Sequence, residues 1–143
     1  MADKHTPEQR SYNMSQVRNK NTKPELMVRK FLFSHGFRYR LHDKKLPGKP
    51  DVVLPKYRTV IFVHGCFFHG HEGCRYATIP QTRTEWWEEK ITGNRRRDIE
   101  NRAKLLAADW NVITIYECDL KSAKREATLS GLLRTLQENA TDI

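Results

Sequence analysis

The stretch that most constrains this chain is Lys49-Pro50-Asp51-Val52-Val53-Leu54 followed by Thr59-Val60-Ile61-Phe62-Val63-His64-Gly65-Cys66, running on through His69, His71 and Cys74. Two short apolar runs separated by Pro55-Lys56-Tyr57-Arg58 specify a β-hairpin. Its first strand opens on a carboxylate and its second ends on a histidine. A carboxylate at the mouth of a rigid strand can hold a divalent metal at a fixed place. The rest of the chain supports that site or grips a polyanion.

At 143 residues the chain, 1–143, is expected to be a single domain whose core needs no disulfides. Twenty-six Lys and Arg against 17 Asp and Glu leave a net charge of +9, spread along the chain and not gathered in a tail. That favours a nucleic-acid partner, although a solubilising basic surface has the same composition. No apolar run approaches the roughly 20 residues of a membrane-spanning helix, and the charged start lacks the apolar core of a signal peptide. An intracellular protein without membrane contact is expected. The three cysteines, an odd number in a reducing compartment, read as metal ligands or inert core residues.

Thr6-Pro7-Glu8-Gln9 is a helix start, but the helix after it is weakly apolar and basic. Residues 1–21 are therefore expected to be a mobile arm that orders on a partner, or a frayed terminus. Thr22-Lys23-Pro24-Glu25 opens a core helix with Leu26, Met27, Val28, Phe31, Leu32 and Phe33 as its apolar face, stopped by Ser34-His35-Gly36. Glu25 reads first as its capping residue, while a carboxylate there can also reach a metal-bound water. Phe37 to Leu41 alternates as a half-buried strand. Thr82-Arg83-Thr84-Glu85 looks like another capping box, opening a helix that ends at Gly93. A longer helix then spans about 94–109, with Arg95, Arg96, Arg97 and Arg102 outward and Ile99, Ala103, Leu106 and Trp110 inward. Val112 to Tyr116 is expected to be a central strand covered on both faces and parallel to a neighbour. About 124–139 closes the chain as a helix with Leu129, Leu132, Leu133 and Leu136 inward. The class is mixed α/β.

Cys66-x4-His71-x2-Cys74 has the close spacing of a zinc loop, and Cys118 can return to the same sheet edge to complete a closed Cys3His set. Closed sets of soft ligands are structural. Three unrelated thiols are the alternative. Asp51, His64 and His69 remain, and a hard carboxylate suits magnesium, with an imidazole beside it to move a proton. Each of the three can also be an ordinary strand-edge or surface residue.

Together, Pro50-Asp51, Phe62-x-His64-Gly65-Cys66-Phe67-Phe68-His69, Thr82-Arg83-Thr84-Glu85, Trp87, Asn94, Arg97-Asp98 and Glu117-Cys118 closely resemble the very-short-patch-repair (Vsr) DNA mismatch endonucleases, from Met14 to about Leu120. The resemblance implies a restriction-endonuclease-like mixed sheet flanked by helices, with a structural zinc loop. It implies a magnesium-dependent nick in duplex DNA, 5′ to the thymine of a G:T mismatch left by deamination of 5-methylcytosine. It further implies a bacterial, cytoplasmic, nucleoid-associated monomer that hands its nick to downstream repair proteins.

Carried over by position, Asp51 is the metal-binding aspartate, joined by the Val63 carbonyl, and His69 is the general base. His64 is a second active-site histidine, and Glu25 and Asp98 hold metal-bound waters and orient the histidine. Cys66, His71, Cys74 and Cys118 are the zinc ligands. Phe67, Phe68 and Trp87 form the aromatic wedge, Met14 lies in the arm that reaches the opposite groove, and Lys90 and Asn94 face the mismatched bases. Of the adjacent pair Trp86 and Trp87, one should be core and one exposed, with Trp87 as the exposed wedge. Inserted aromatics replace lost stacking and hold a kink, and a poorly stacked wobble pair opens more cheaply than a matched one. The chain departs from the family pattern at Val63, where threonine is familiar, at Phe68, where tryptophan is, and at Gly70 and Glu72-Gly73 in the zinc loop. Two rivals stay open: a nuclease of the same fold with another DNA specificity, and a zinc-stabilised DNA-binding module without catalysis.

Overall fold

The computed structural model of the protein describes residues 22–141. The expected arm 1–21, with its capping box at Thr6 and with Met14, lies outside the described residues. The described order is α1 (Lys23–Ser34), β1 (Arg40–Leu41), β2 (Val52–Leu54), β3 (Thr59–His64), α2 (Thr84–Ala107), β4 (Asn111–Tyr116) and α3 (Arg125–Thr141). The strands form one sheet in the order β1-β2-β3-β4. The first three make an antiparallel meander, and β4 returns through α2 to lie parallel to β3.

Alternation along the strands sorts side chains into two cores. Val52, Leu54 and Ile61 face one way, where Val28 and Leu32 of α1 and Leu132 and Leu136 of α3 cover them. Val53, Val60 and Phe62 face the other way, where Leu105 of α2 covers them. The result is a helix, sheet, helix sandwich with β3 inside it. At the hairpin turn Arg58 takes the left-handed conformation with φ 49°, and its guanidinium lies 4.4 Å from the Trp110 ring centroid.

Several expected elements differ. The strand at Phe37 shrinks to Arg40–Leu41, with both residues exposed. On α1, Leu26 and Phe33 are exposed because the core takes the stripe of Met27, Val28, Phe31 and Leu32. Phe33 instead carries the Arg38 guanidinium at 4.6 Å. The 82–85 capping box does not form: the helix begins one residue later than that box requires, Arg83 precedes it at φ 56°, and the Thr84 hydroxyl donates to the Pro80 and Gln81 carbonyls at 2.9 Å. Gly93 does not end that helix. Its cost inside a helix is about 1 kcal/mol, too small to break an element anchored on both sides of it by Ile91 and Leu105.

The phase of α2 is also different. Ile99 and Leu106 are exposed and Ala103 faces solvent, while Ile91 and Leu105 are buried. The inward stripe is Ile91, Asn94, Asp98, Asn101 and Leu105, polar in its middle. β4 is an edge strand and only half buried along most of its length; an apolar run short enough for a strand does not by itself distinguish centre from edge. The closing helix matches expectation, with Leu132 and Leu136 buried and Leu129 and Leu133 packed on the same core.

Since Leu105 is fully buried and Ile99 is 68% exposed, Leu105→Ala should lower unfolding free energy by about 2–5 kcal/mol. Ile99→Ala should stay within about 0.5 kcal/mol of the parent. Urea unfolding followed by far-UV circular dichroism measures both.

Candidate active site

Asp51 sits one residue before β2, at the mouth of the hairpin. Its Oδ2 accepts the Val63 N–H at 2.7 Å. Within a strand, the N–H and C=O of one residue leave from the same edge, so the Val63 carbonyl shares that edge. Glu25, 1% exposed, comes from the first turn of α1. Its N–H is held by the Thr22 hydroxyl at 3.4 Å, so half the expected capping box forms. The carboxylate, however, turns inward: Oε1 meets the His42 ring nitrogen Nε2, and Oε2 is buried without a hydrogen-bond partner, with the Arg29 guanidinium 3.9 Å away. Donor atoms of Glu25, His42 and Asp51 lie within 4.8 Å of one another.

Burial is the main cause that raises the Asp51 carboxyl from 3.8 to about 7. The Val63 N–H works against it, and the neighbouring Glu25 charge adds to it. A buried carboxylate pair with an orphaned oxygen is a site short of positive charge. A divalent cation fits that deficit and that donor chemistry.

The second group faces the first across a cavity of about 340 Å³ lined by His42, Asp51, Val63, His64, His69 and Asp98. His64, the last residue of β3, stacks on His69 with centroids 3.7 Å apart and planes 2° from parallel. Asp98, from the middle of α2, accepts His69 Nδ1–H at 2.7 Å and stands 4.0 Å from His64 Nδ1. With Nδ1 bound to the carboxylate, His69 keeps its Nε2 lone pair for another proton. Burial, and then the neighbouring His69, push His64 down to about 4 despite Asp98, so His64 is neutral at pH 7. The polar middle of α2 is therefore the wall of this site.

Donor atoms of Cys66, His71, Cys74 and Cys118 also lie within 4.8 Å of one another, and none of the three cysteines is in a disulfide. The Cys118 N–H donates to Cys66 Sγ at 3.3 Å, as a thiolate ligand needs. Cys118 Sγ lies 3.3 Å from His71 Nδ1, and the His71 ring stacks on Tyr116 at 3.8 Å. Burial pushes the Cys66 thiol up to about 12. Four soft donors, with no carboxylate among them, fit zinc. The loop they hold also packs hard on α2: at Gly70, φ +57°, a Cβ would lie 2.6 Å from Ile91.

Between the two groups the loop carries Phe67 and Phe68, perpendicular to each other at 5.1 Å. Phe67 meets Trp87 at 5.2 Å, and Trp87 meets Trp86 at 4.7 Å. Neither tryptophan is core. Trp86, at 45%, is the exposed one, and Trp87 is half-buried against Phe67, the reverse of the expected order, because Phe67 shields the Trp87 ring. Lys90 is exposed and reaches over Trp86 at 5.6 Å. The Asn94 amide donates to the Phe68 carbonyl at 2.8 Å, holding the loop to α2.

The match to the family model described as DNA mismatch endonuclease Vsr covers residues 2–75. The chain is 39% identical over 138 residues to the DNA mismatch endonuclease Vsr of Escherichia coli, covering 96% of this chain and 87% of that protein. The chain belongs to the Vsr DNA mismatch endonuclease family. It is a DNA endonuclease. It is also 49% identical to the type II nicking enzyme V.XorIIP of Xanthomonas oryzae, over 93% of this chain and 98% of that protein. Likewise it is 48% identical to the type II nicking enzyme V.NmeAIP of Neisseria meningitidis, over 96% and 99%.

Sequence reasoning missed His42, Lys44 and Lys49, which line the cavity. The antiparallel register Leu41↔Val52 places His42 opposite Asp51, with the His42 N–H on the Asp51 carbonyl at 3.2 Å. Drawing that pairing from the alternation at Phe37–Leu41 would have exposed it.

The pH dependence follows from the raised Asp51. An unfolded carboxyl ionises near 3.8, whereas the folded one keeps its proton to about 7, so the folded state loses stability as pH rises through that window. Asp51→Asn keeps an acceptor for the Val63 N–H and removes the charge. In EDTA its melting temperature should equal the parent's below pH 4 and exceed it by several degrees above pH 7. A scan of both proteins from pH 3.5 to 8 checks the sign.

Proposed function

We propose that this endonuclease nicks one strand of duplex DNA on the 5′ side of the thymine in a G:T mismatch produced by deamination of 5-methylcytosine, and so starts very short patch repair. The observation that carries the reading is the cavity itself. One wall presents the Asp51 carboxylate, with the buried Glu25 carboxylate within reach of it, and the other is an imidazole oriented by a carboxylate through its far nitrogen. That is the equipment for hydrolysing a phosphodiester. A restriction-endonuclease-like description of the fold agrees with a mixed sheet between helices.

Asp51 and the Val63 carbonyl would hold magnesium, whose chemistry when bound is to neutralise charge building on the phosphoryl oxygens. His69 takes the proton of the attacking water at Nε2, and Asp98 stabilises the imidazolium that results. His64 stacks face to face on that imidazolium and stays neutral, because a second charge at 3.7 Å in a half-buried site is costly. It therefore serves the departing 3′ oxygen as a hydrogen-bond donor, and as the bond to phosphorus breaks that oxygen takes its proton from water to leave as the 3′ hydroxyl. Glu25 brings a carboxylate oxygen within 4.8 Å of Asp51, where it would join the cation's donor set. Lys44 and Lys49 line the cavity and meet the phosphate backbone.

The cluster of Phe67, Phe68, Trp86 and Trp87 supports the mismatch reading. Aromatic faces on the shoulder of a nuclease site suit insertion between base steps, and a wobble pair yields most cheaply. The relatives named nicking enzymes support a cut in one strand. Zinc on Cys66, His71, Cys74 and Cys118 would act as the clamp that holds His69 and the phenylalanines in place. No helix among the described residues is long and apolar enough to cross a membrane; the place of action we infer from the DNA substrate is the bacterial cytoplasm, on nucleoid DNA.

Labelled duplexes carrying G:T in several flanking contexts, with G:C and A:T controls, test the specificity. The expected result is cutting only 5′ to the mismatched thymine, with magnesium and not with EDTA. Asp51→Ala and His69→Ala should each lose at least about a hundredfold in single-turnover rate. Equal cutting of matched duplexes would instead make the protein a general nuclease, and binding without cutting would make it a binding module.

The purified protein should contain one zinc per chain by inductively coupled plasma mass spectrometry. Cys118→Ser should lose most of that metal and protease resistance in the 66–83 loop. A zinc-free parent that nicks normally once magnesium is added would refute the clamp.

A further inference from the structure

We propose that His42 is a direct ligand of the cation at Asp51, and that its imidazole biases this site toward manganese over magnesium. The inference rests on the reading of Asp51 as a cation ligand and adds the third donor of the set. His42 leaves the end of β1 with φ 48°, a left-handed conformation in which histidine is tolerated. Its N–H on the Asp51 carbonyl holds it there, opposite Asp51 in the β1–β2 register. From that position the ring lines the cavity and Nε2 meets Glu25 Oε1.

Two features distinguish a ligand from a simple counter-charge. The Nε2 atom, the Glu25 carboxylate and the Asp51 carboxylate come within 4.8 Å of one another, the spacing of donors around one small cation. The other Glu25 oxygen, on a side chain 2% exposed, accepts no hydrogen bond and has the Arg29 guanidinium only at 3.9 Å, so pairing with His42 leaves a buried lone pair open to a cation. When the cation enters, Nε2 gives up its proton to solvent and turns its lone pair, with the two carboxylates, to that cation. Magnesium is a hard cation that takes oxygen ligands and gains little from an imidazole. Manganese also favours oxygen ligands, but as a first-row transition-metal dication it accepts an imidazole nitrogen more readily than magnesium does. The ligand set of two carboxylates and one imidazole therefore selects on nitrogen.

Manganese binding to the full zinc-loaded chain, read as loss of the free-ion electron paramagnetic resonance signal, tests this without DNA or turnover. Magnesium is measured by competition against manganese. His42→Asn keeps a residue that tolerates the left-handed backbone but cannot reach as far, and Asp51→Asn serves as the site control. Melting temperatures in EDTA establish that both variants fold. The expected result is a roughly tenfold or greater loss of manganese affinity in His42→Asn, with magnesium affinity changed by less than about threefold. Electron spin echo modulation of the bound manganese in the parent should show a nitrogen coupling that His42→Asn removes.

Equal losses for the two cations, or a parent without nitrogen coupling, would overturn the proposal and leave His42 acting only through Glu25. Manganese affinity unchanged in His42→Asn but lost in Asp51→Asn would overturn the proposal alone. Affinity unchanged in both variants would overturn it together with the reading of Asp51.

Discussion

The parallel pairing of β3 with β4 is the constraint on which both sites depend. In that register His64 lies beside Tyr116, and the chain continues two residues past each of them to Cys66 and Cys118. The two cysteines therefore emerge side by side at one end of the sheet. Their closeness is fixed by backbone hydrogen bonds before any metal is considered. The same strand end delivers Val63 to Asp51 and His64 to the cavity. A slip of one residue would turn His64 to the opposite face and separate the thiols. Helix α2 makes that pairing possible as the crossover, and its inward stripe then becomes part of the site. Tyr116 links the two groups, stacked on His71 and edge-on to His64 at 5.7 Å.

The loop from Gly65 to Arg83 has almost no regular structure and little apolar content, yet it carries the residues with the most demanding positions. His69 must meet Asp98, and Phe67 must meet Trp87. Three kinds of restraint hold the loop: the converging sulfur and imidazole donors, the close approach of Gly70 to Ile91, and the Asn94 amide on the Phe68 carbonyl. Two of the three run to α2. The polar centre of that helix is thus not a failure of amphipathicity, because the Asn94 and Asp98 side chains bind the loop where a leucine would otherwise pack on the sheet.

This explains where the sequence was legible. The hairpin, the parallel return of β4, the capped start of α1 and the leucines of α3 follow from local rules of alternation, capping and helical spacing, and the structure has all four. The convergence of Cys66, His71, Cys74 and Cys118 was also legible, from ligand spacing and the return of a strand. The phase of α2 was not. Ile99 and Leu106 are the apolar residues that helical spacing selects, and they are exposed because the site recruits Asn94 and Asp98 to the inward stripe. Local hydrophobicity carries no signal for that competition. Trp86 and Trp87 exchanged their expected exposures for a similar reason, since the partner that shields Trp87 is Phe67, distant in sequence. His42 stayed hidden because its meaning lies in a cross-strand register and not in its neighbours.

The same competition sets the electrostatics of the folded protein. Burying Glu25 beside Asp51, with one oxygen accepting no hydrogen bond and Arg29 only at 3.9 Å, works against stability, and the packed core on either face of β3 must offset it. Such a deficit is useful only if something of opposite charge enters. The protein also keeps its two kinds of donor apart: the three sulfurs and His71 gather beyond the sheet end, while the carboxylates gather at the mouth of the hairpin. A soft cation and a hard one can then sort themselves by ligand chemistry without exchanging places. His42 is the one nitrogen set among the carboxylates, and so the residue at which that separation is least complete.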